Sequence, residues 1–131
     1  MKKLEQTILE HLTERGWDNL RPGDVSKSIL IEGAELLEHF QWTNPTLDEV
    51  RDDSALKEKI SEELADIFIY ALELSVLLDL DAEKIILKKL EKVAKKYPAK
   101  LMKEAVTKGD TSLYWKIKKE HRSKDNDTLL T

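Results

Sequence analysis

Two pairs of acidic residues adjoin the most apolar parts of this chain, and they constrain how it can fold. An ExxE motif directly follows three apolar residues at 29–31, and an ExxD motif directly precedes three more at 67–69; the acids are Glu32, Glu35, Glu63 and Asp66. Residues i and i+3 share a helix face, so each pair directs two carboxylates the same way. Because unpaired buried charge is costly, the sequence predicts two helices that bring these acids together.

The chemistry of these acids predicts a divalent metal site. If the two helices pack antiparallel, four carboxylates converge, and like charges at close range raise one another's pKa. A divalent cation removes that conflict. All the donors are hard oxygen atoms, with no His or Cys among them, which favours Mg²⁺, with Mn²⁺ as a substitute. The alternative for either motif alone is an ordinary solvated helix face.

The rest of the chain has a helical pattern and no strand pattern. Its 131 residues suit one domain, and 40% hydrophobic with 37% charged residues suits helices with wet outer faces. Asp24 or Ser26 is expected to cap the second helix, and residues 47–54 to hold one helical turn. We expect a domain over residues 1–110 and a polar tail over 111–131, mobile or docked on a partner subunit. The expected helices are Leu4–Arg15, a second ending near Trp42, Ala55–Leu80, Ala82–Lys96 and Ala99–Thr107.

Composition excludes several classes of function. The chain has no cysteine, which excludes thiolate metal sites and cysteine nucleophiles. Its net charge of −4 argues against a nucleic acid polymer as partner. The apolar stretch 67–80 is too short to cross a membrane, and the N-terminus lacks the apolar run of a signal peptide, so we expect a cytoplasmic protein without membrane contact.

Two segments resemble the signatures of a known family. Residues 28–42, SILIEGAELLEHFQW, are similar to the first signature of the MazG-like all-α nucleoside triphosphate pyrophosphohydrolases. Residues 62–70, EELADIFIY, are similar to the second, and the likeness extends through residues 89–98, KLEKVAKKYP. The resemblance covers about residues 15–100 and is strongest to the single-domain branch that includes dCTP pyrophosphatases. It implies an all-α, four-helix-bundle-like core, completed or extended by homo-oligomerisation into a dimer or tetramer.

The resemblance also implies an activity and a set of site residues. The activity is Mg²⁺-dependent hydrolysis of a nucleoside triphosphate between its α- and β-phosphates, for housecleaning of the nucleotide pool. The four acids match the family's metal ligands, and Glu35 or Glu63 is the expected base that orients or deprotonates the attacking water. The expected substrate-binding residues are Trp17 and Trp42 for the base, Tyr70 near the nucleotide, and Lys89, Lys96 and Tyr97 for the phosphates or sugar. Apart from the resemblance, Lys27 is a further candidate for phosphate contact, because it lies a little over one turn before Glu32.

Two departures from the family pattern bear on substrate choice. Val93 stands where the family often has an asparagine, and Arg21 lies near the place of a histidine that some dCTP-preferring members carry. The choice of base and sugar therefore stays open. A solvated basic face remains the preferred interpretation of Lys92.

Three alternative functions compete with this assignment. A di-iron bundle would need a histidine three residues after a glutamate, and His39 instead follows Glu38 directly. A non-catalytic helical module that binds nucleotide or protein is the second alternative. The third is a phosphoribosyl-ATP pyrophosphohydrolase, which has a similar helical core.

Overall fold

The computed structural model describes the backbone of residues 1–129 and the side chains of residues 1–124. Over this part of the chain the structure is all helical and contains no strand, which confirms the predicted fold class. No helix within it has both the length and the apolar content to cross a membrane. The helices are α1 (Lys2–Glu14), α2 (Pro22–Glu38), α3 (Leu47–Asp52), α4 (Ser54–Leu77), α5 (Ala82–Lys96), α6 (Ala99–Thr107) and α7 (Ser112–Leu129).

The helices form two compact units, which we describe separately. The first is Met1–Glu83 and holds α1 to α4 with the first two residues of α5; the second is Lys84–Thr131. In the first unit α4 is the central helix, since α1, α2 and α3 all pack against it. In the second unit α6 packs against α7.

Side-chain caps set the starts of α3 and α4. The Thr46 hydroxyl accepts a hydrogen bond from the Glu49 backbone N–H at 3.3 Å, and the Glu49 carboxylate accepts one from the Thr46 N–H at 2.6 Å. This reciprocal capping box satisfies two backbone donors that a helix start leaves open. Asp53 caps α4 by accepting from the Leu56 N–H at 2.9 Å. The helical turn expected over residues 47–54 is confirmed as α3.

Helix α2 differs from its predicted bounds at both ends. It starts at Pro22, with Arg21 as a cap residue that makes no side-chain hydrogen bond, so the prediction of Asp24 or Ser26 as cap is wrong. Proline suits the first helical position, because its fixed φ is already helical and its missing N–H has no partner there. The helix ends at Glu38, before Trp42, because the backbone tightens into i to i−3 bonds after Leu37.

A residue with a left-handed backbone conformation follows the end of α1 and another follows the end of α4. Gly16 has φ 67°, and the next N–H, of Trp17, donates to the Leu12 carbonyl at 2.9 Å. Asp79 takes the same role after α4 with φ 54°, and the Leu80 N–H donates to the Ser75 carbonyl at 2.9 Å. Aspartate tolerates this conformation better than most residues, so α4 ends at Leu77, three residues earlier than predicted.

The core of the first unit lies between α1 and α4. Leu12 is fully buried there, which stabilises the fold by about 1.5–3 kcal/mol relative to an exposed leucine. The Glu5 carboxylate of α1 accepts a hydrogen bond at 2.8 Å from the backbone N–H of Ala82, at the start of α5. This hydrogen bond therefore connects α1 to the start of α5. The buried residues of this core are Ile8, Leu12, Leu72 and Ala82, with Val76 and Leu77 packed against them.

The polar C-terminal segment forms helix α7. Asp110 caps its start by accepting from the Ser112 N–H at 2.9 Å and from the Ser112 hydroxyl at 2.6 Å. Leu113 and Ile117, four residues apart, give the helix a narrow half-buried apolar face. The Tyr114 ring stacks on that of Tyr97, with centroids 5.2 Å apart. Local capping and a few apolar contacts thus order a segment whose composition alone indicates a tail.

One buried acid makes the stability of the first unit depend on pH. The Glu73 side chain on α4 is only 6% exposed, and burial holds its pKa above the ordinary value, although the positive charge of His11 partly offsets this. Above the ordinary glutamate pKa the native state therefore binds more protons than the unfolded state. The free energy of unfolding consequently falls as pH rises through that range.

We expect Glu73→Gln to remove this loss of stability. Its free energy of unfolding, measured by urea denaturation between pH 4 and pH 8, should exceed that of the wild type increasingly as pH rises, because glutamine stays neutral. Glu58→Gln is the matched control, an exposed acid on the same helix. Parallel curves for the wild type and Glu73→Gln would contradict the expectation.

Candidate metal centre

The packing of α2 against α4 positions the candidate metal ligands. Glu32 on α2 and Glu63 and Asp66 on α4 each offer one carboxylate oxygen, and these three oxygens lie within 4.8 Å of one another. His39 lies seven residues after Glu32, and it contacts Glu63, which lies three residues before Asp66. The two helices are therefore antiparallel, and the i, i+3 spacing of the second pair places both of its acids toward α2.

The pKa of Glu32 is raised at this position. Loss of hydration at this partly buried position is the largest cause that raises the pKa of Glu32, followed by the negative charges of Glu35, Asp66 and Glu63. Every one of these contributions disfavours the ionised form. A cation among the three carboxylates would reverse the effect of the charges.

Glu35 lies outside the group of three. It stands one turn after Glu32 on α2 with an exposed side chain, close enough for its charge to act on the pKa of Glu32. The structure therefore brings together three of the four predicted ligands and leaves the fourth beside them.

His39 is a site residue that the sequence reasoning missed. Its Nε2 lies 3.4 Å from Glu63 Oε1, and both side chains are partly buried. With the proton on Nε2, the imidazole N–H donates to the Glu63 carboxylate, which accepts. His39 follows Glu32 by seven residues and so shares its helix face; a search at that spacing, rather than for ExxH, would have found it.

The predicted aromatic residues of the first unit lie in different environments. Tyr70 follows Asp66 by one turn of α4 and is partly buried. Trp42 lies beyond the end of α2 and is 88% exposed, so it does not pack in the core of this chain. Trp17 follows α1 and is half exposed, with its ring edge-on to that of His11 at 6.2 Å. Both tryptophans have ring surface that a planar ligand can contact.

The predicted basic residues divide between the two units. Lys27, in the first, donates to Asp24 at 2.9 Å in an exposed ion pair, which raises the pKa of Lys27. Lys89, Lys96 and Tyr97 belong to the second unit. Burial, and then the neighbouring Tyr114, raise the pKa of the Tyr97 phenol, so it remains a neutral hydroxyl at physiological pH.

The donor set fits a hard divalent cation. Three carboxylates supply oxygen ligands and more negative charge than one divalent ion neutralises. Mg²⁺ and Mn²⁺ favour such ligands, and a site with three protein carboxylates leaves coordination positions for water or phosphate oxygens. His39 contacts Glu63, and side chains that hydrogen-bond to a metal-binding carboxylate typically hold it in position.

Comparisons with known proteins place this geometry in context. The MazG-like family matches residues 27–111, which contain most of α2, all of α3 to α6 and all three carboxylates. A crystal structure of a pyrophosphatase from Archaeoglobus fulgidus is similar, with a TM-score of 0.65 and 36% sequence identity. The similarity covers 75% of this chain and 92% of that one. No curated protein matches the chain.

We expect Mg²⁺ or Mn²⁺ to stabilise the wild-type protein against heat and to lose this effect in Asp66→Asn. A ligand at 100 times its Kd stabilises a folded protein by about 2.7 kcal/mol. Thermal unfolding with each metal and with EDTA measures the difference. Glu58→Gln should respond as the wild type does, and an equal metal response in Asp66→Asn would show that Asp66 is not a ligand.

Proposed function

This chain belongs to the MazG-like family, and we propose that it hydrolyses a nucleoside triphosphate to a nucleoside monophosphate and pyrophosphate with the help of Mg²⁺. The observation that carries the proposal is the group of three carboxylates between α2 and α4. The similar Archaeoglobus structure is described as a pyrophosphatase, which supports the same class of reaction. Removal of surplus or non-canonical nucleotides is the role we propose for it.

In this proposal the three carboxylates hold the metal. Glu32, Glu63 and Asp66 each contribute one oxygen, and the His39 N–H keeps the Glu63 carboxylate in place. Bound Mg²⁺ would supply neutralisation of the phosphate charge and of the charge that develops on the leaving pyrophosphate. Mn²⁺ has the same preference for oxygen ligands and is the expected substitute.

We assign to Glu35 the orientation of the attacking water. The Glu63 carboxylate is occupied by the His39 hydrogen bond and by its place in the group of three, whereas the Glu35 carboxylate is exposed beside that group. The water oxygen bonds to phosphorus, and the bond from phosphorus to the oxygen between the α- and β-phosphates breaks. The water proton passes to the Glu35 carboxylate, and the bridging oxygen keeps the electron pair of the broken bond.

The remaining predicted residues would bind the substrate. Tyr70 lies one turn from Asp66 and is the nearest in sequence to the metal ligands of α4. The exposed faces of Trp42 and Trp17 are suited to stacking on a base. Lys89, Lys96 and the neutral Tyr97 hydroxyl supply donors suited to phosphate and sugar oxygens.

We expect Glu35→Gln to lower kcat for the preferred nucleotide by about 10²–10⁴-fold, the usual contribution of a general base. Pyrophosphate release from a panel of nucleoside and deoxynucleoside triphosphates, with phosphoribosyl-ATP included, measures the effect and identifies the substrate. Asp66→Asn should lose activity through loss of the metal.

The controls separate the function from the site assignment. Glu58→Gln should keep wild-type activity, because this exposed acid lies two turns before Asp66 and outside the group of three. Full activity in Glu35→Gln with none in Asp66→Asn would move the role of base to another residue. Stabilisation of the protein by nucleotide without any turnover would identify a binding module instead of an enzyme.

We further propose that the protein forms a homodimer or homotetramer through α2 and α4. Their outer faces carry large apolar side chains that the chain itself leaves exposed: Leu30 is 75%, Leu37 66% and Phe68 61% exposed. Leu30 and Leu37 are seven residues apart and so share one face of α2. Clusters of exposed apolar side chains in a small protein typically mark an interface.

We expect light scattering to give a mass of two or four times 15.2 kDa. Leu30→Glu combined with Leu37→Glu should shift the protein toward the monomer, because both changes place charge in the proposed interface. Val106→Glu, at a residue that is 78% exposed on α6, is the control. A wild-type mass of 15.2 kDa would contradict the proposal.

A further inference from the structure

The second unit contains a groove with an unusual concentration of positive charge. Its volume is about 420 Å³, and among the side chains that the structure describes, those of residues 1–124, no carboxylate lines it. Glu91 and Glu120 lie on the same two helices but outside the lining. The lining residues are Lys89, Lys92, Lys95 and Lys96 of α5 with His121 of α7.

Helical spacing and one aromatic contact build this groove. Lys89, Lys92 and Lys96 recur every three or four residues and so lie along one side of α5. The stacked rings of Tyr97 and Tyr114 hold the start of α7 at the end of α5. His121 follows Tyr114 by two helical turns, which brings it to the lysine side of α5.

Lys96 has a more defined position than a free surface lysine. Its side chain is partly buried, and its Nζ lies 5.4 Å from the centroid of the Tyr97 ring, a cation–π contact. The same aromatic stack that holds α7 therefore also directs an ammonium group. The groove consequently combines one partly buried ammonium group with three exposed ones.

A second surface groove in the same unit is also lined by lysines, but its lining includes an acid. Lys100, Lys103 and Lys108 of the α6 region line it together with Glu104 and Thr107. Its acid supplies a negative charge next to the ammonium groups, whereas no acid up to residue 124 lines the α5 groove. The four ammonium groups of the α5 groove repel one another, and a multiply charged anion would relieve that repulsion.

We propose that the α5 groove binds a chain of two or more phosphate groups through Lys92, Lys95 and His121 in addition to Lys89 and Lys96. The groove is short and the chain carries a net charge of −4, which favours a small anion over a nucleic acid polymer. The choice of phosphate among multiply charged anions rests on the proposed function. The phosphate chain comes either from the triphosphate of the substrate or from free pyrophosphate, the product.

The direct test is calorimetric titration of inorganic pyrophosphate into the full-length protein in EDTA at about 50 mM salt. EDTA removes metal from the acid group, so binding that remains reports on the lysines. Lys92→Gln combined with Lys95→Gln should weaken binding about tenfold, as expected for the loss of two exposed ion pairs. Added salt should weaken wild-type binding, because exposed charges are screened.

The matched control is Lys103→Gln combined with Lys108→Gln, which removes the same charge from α6. Pyrophosphate should bind this variant within about twofold of the wild type, since neither lysine lines the α5 groove. An equal loss in both double variants would show only a general charge effect and would overturn the proposal. The proposal would also be overturned if a single-stranded oligonucleotide bound to the same lysines more tightly than pyrophosphate does.

Steady-state kinetics with Mg²⁺ distinguishes the two sources of the phosphate chain. A higher KM for the nucleotide at unchanged kcat in Lys92→Gln/Lys95→Gln identifies the substrate triphosphate. An unchanged KM with weaker inhibition by pyrophosphate identifies the free product. Because the titration needs no turnover, an inactive protein that still binds pyrophosphate at these lysines would refute the proposed function and support the groove.

Discussion

Repulsion among carboxylates is the constraint on which the rest of this structure depends. The packing of α2 against α4 brings oxygens of Glu32, Glu63 and Asp66 to within 4.8 Å of one another, and burial together with the neighbouring negative charges raises the pKa of Glu32. The contact of His39 with Glu63 also links the end of α2 to α4. The fold thus holds together charges that would separate if the helices were free, and this is how a protein preorganises a cation site.

The sequence predicted the helices well because their signals are local. Spacing of three and four residues located the helices and placed each acid pair on one face, and Gly16 marked the end of α1. The ends of α2 and α4 were less predictable. Apolar periodicity reports which side of a helix is buried, but not where the backbone tightens into a turn, as it does after Leu37, or where Asp79 takes a left-handed conformation.

The parts of the sites that escaped prediction depend on contacts between distant segments. His39 and Glu63 are 24 residues apart, and their contact exists only once α2 and α4 have packed. Lys92 looks like an ordinary solvated lysine in the sequence. Its place in a groove follows from α7, a helix that the polar composition of its segment did not indicate, and from the stacking of Tyr97 on Tyr114.

The hydrogen bond from the Ala82 N–H to Glu5 has a consequence for how the chain folds. It joins residues that are 77 positions apart, whereas α2 and α4 are joined by a short connection through α3. Closing a long loop carries a larger entropic cost and slows the formation of the contact. On a ribosome, α2 and α4 can pair as soon as both have emerged, but α1 must wait for the start of α5 before its last hydrogen bond can form. Helix α1 can thus pack against α4 before α5 is made, whereas its hydrogen bond to Ala82 forms only afterwards.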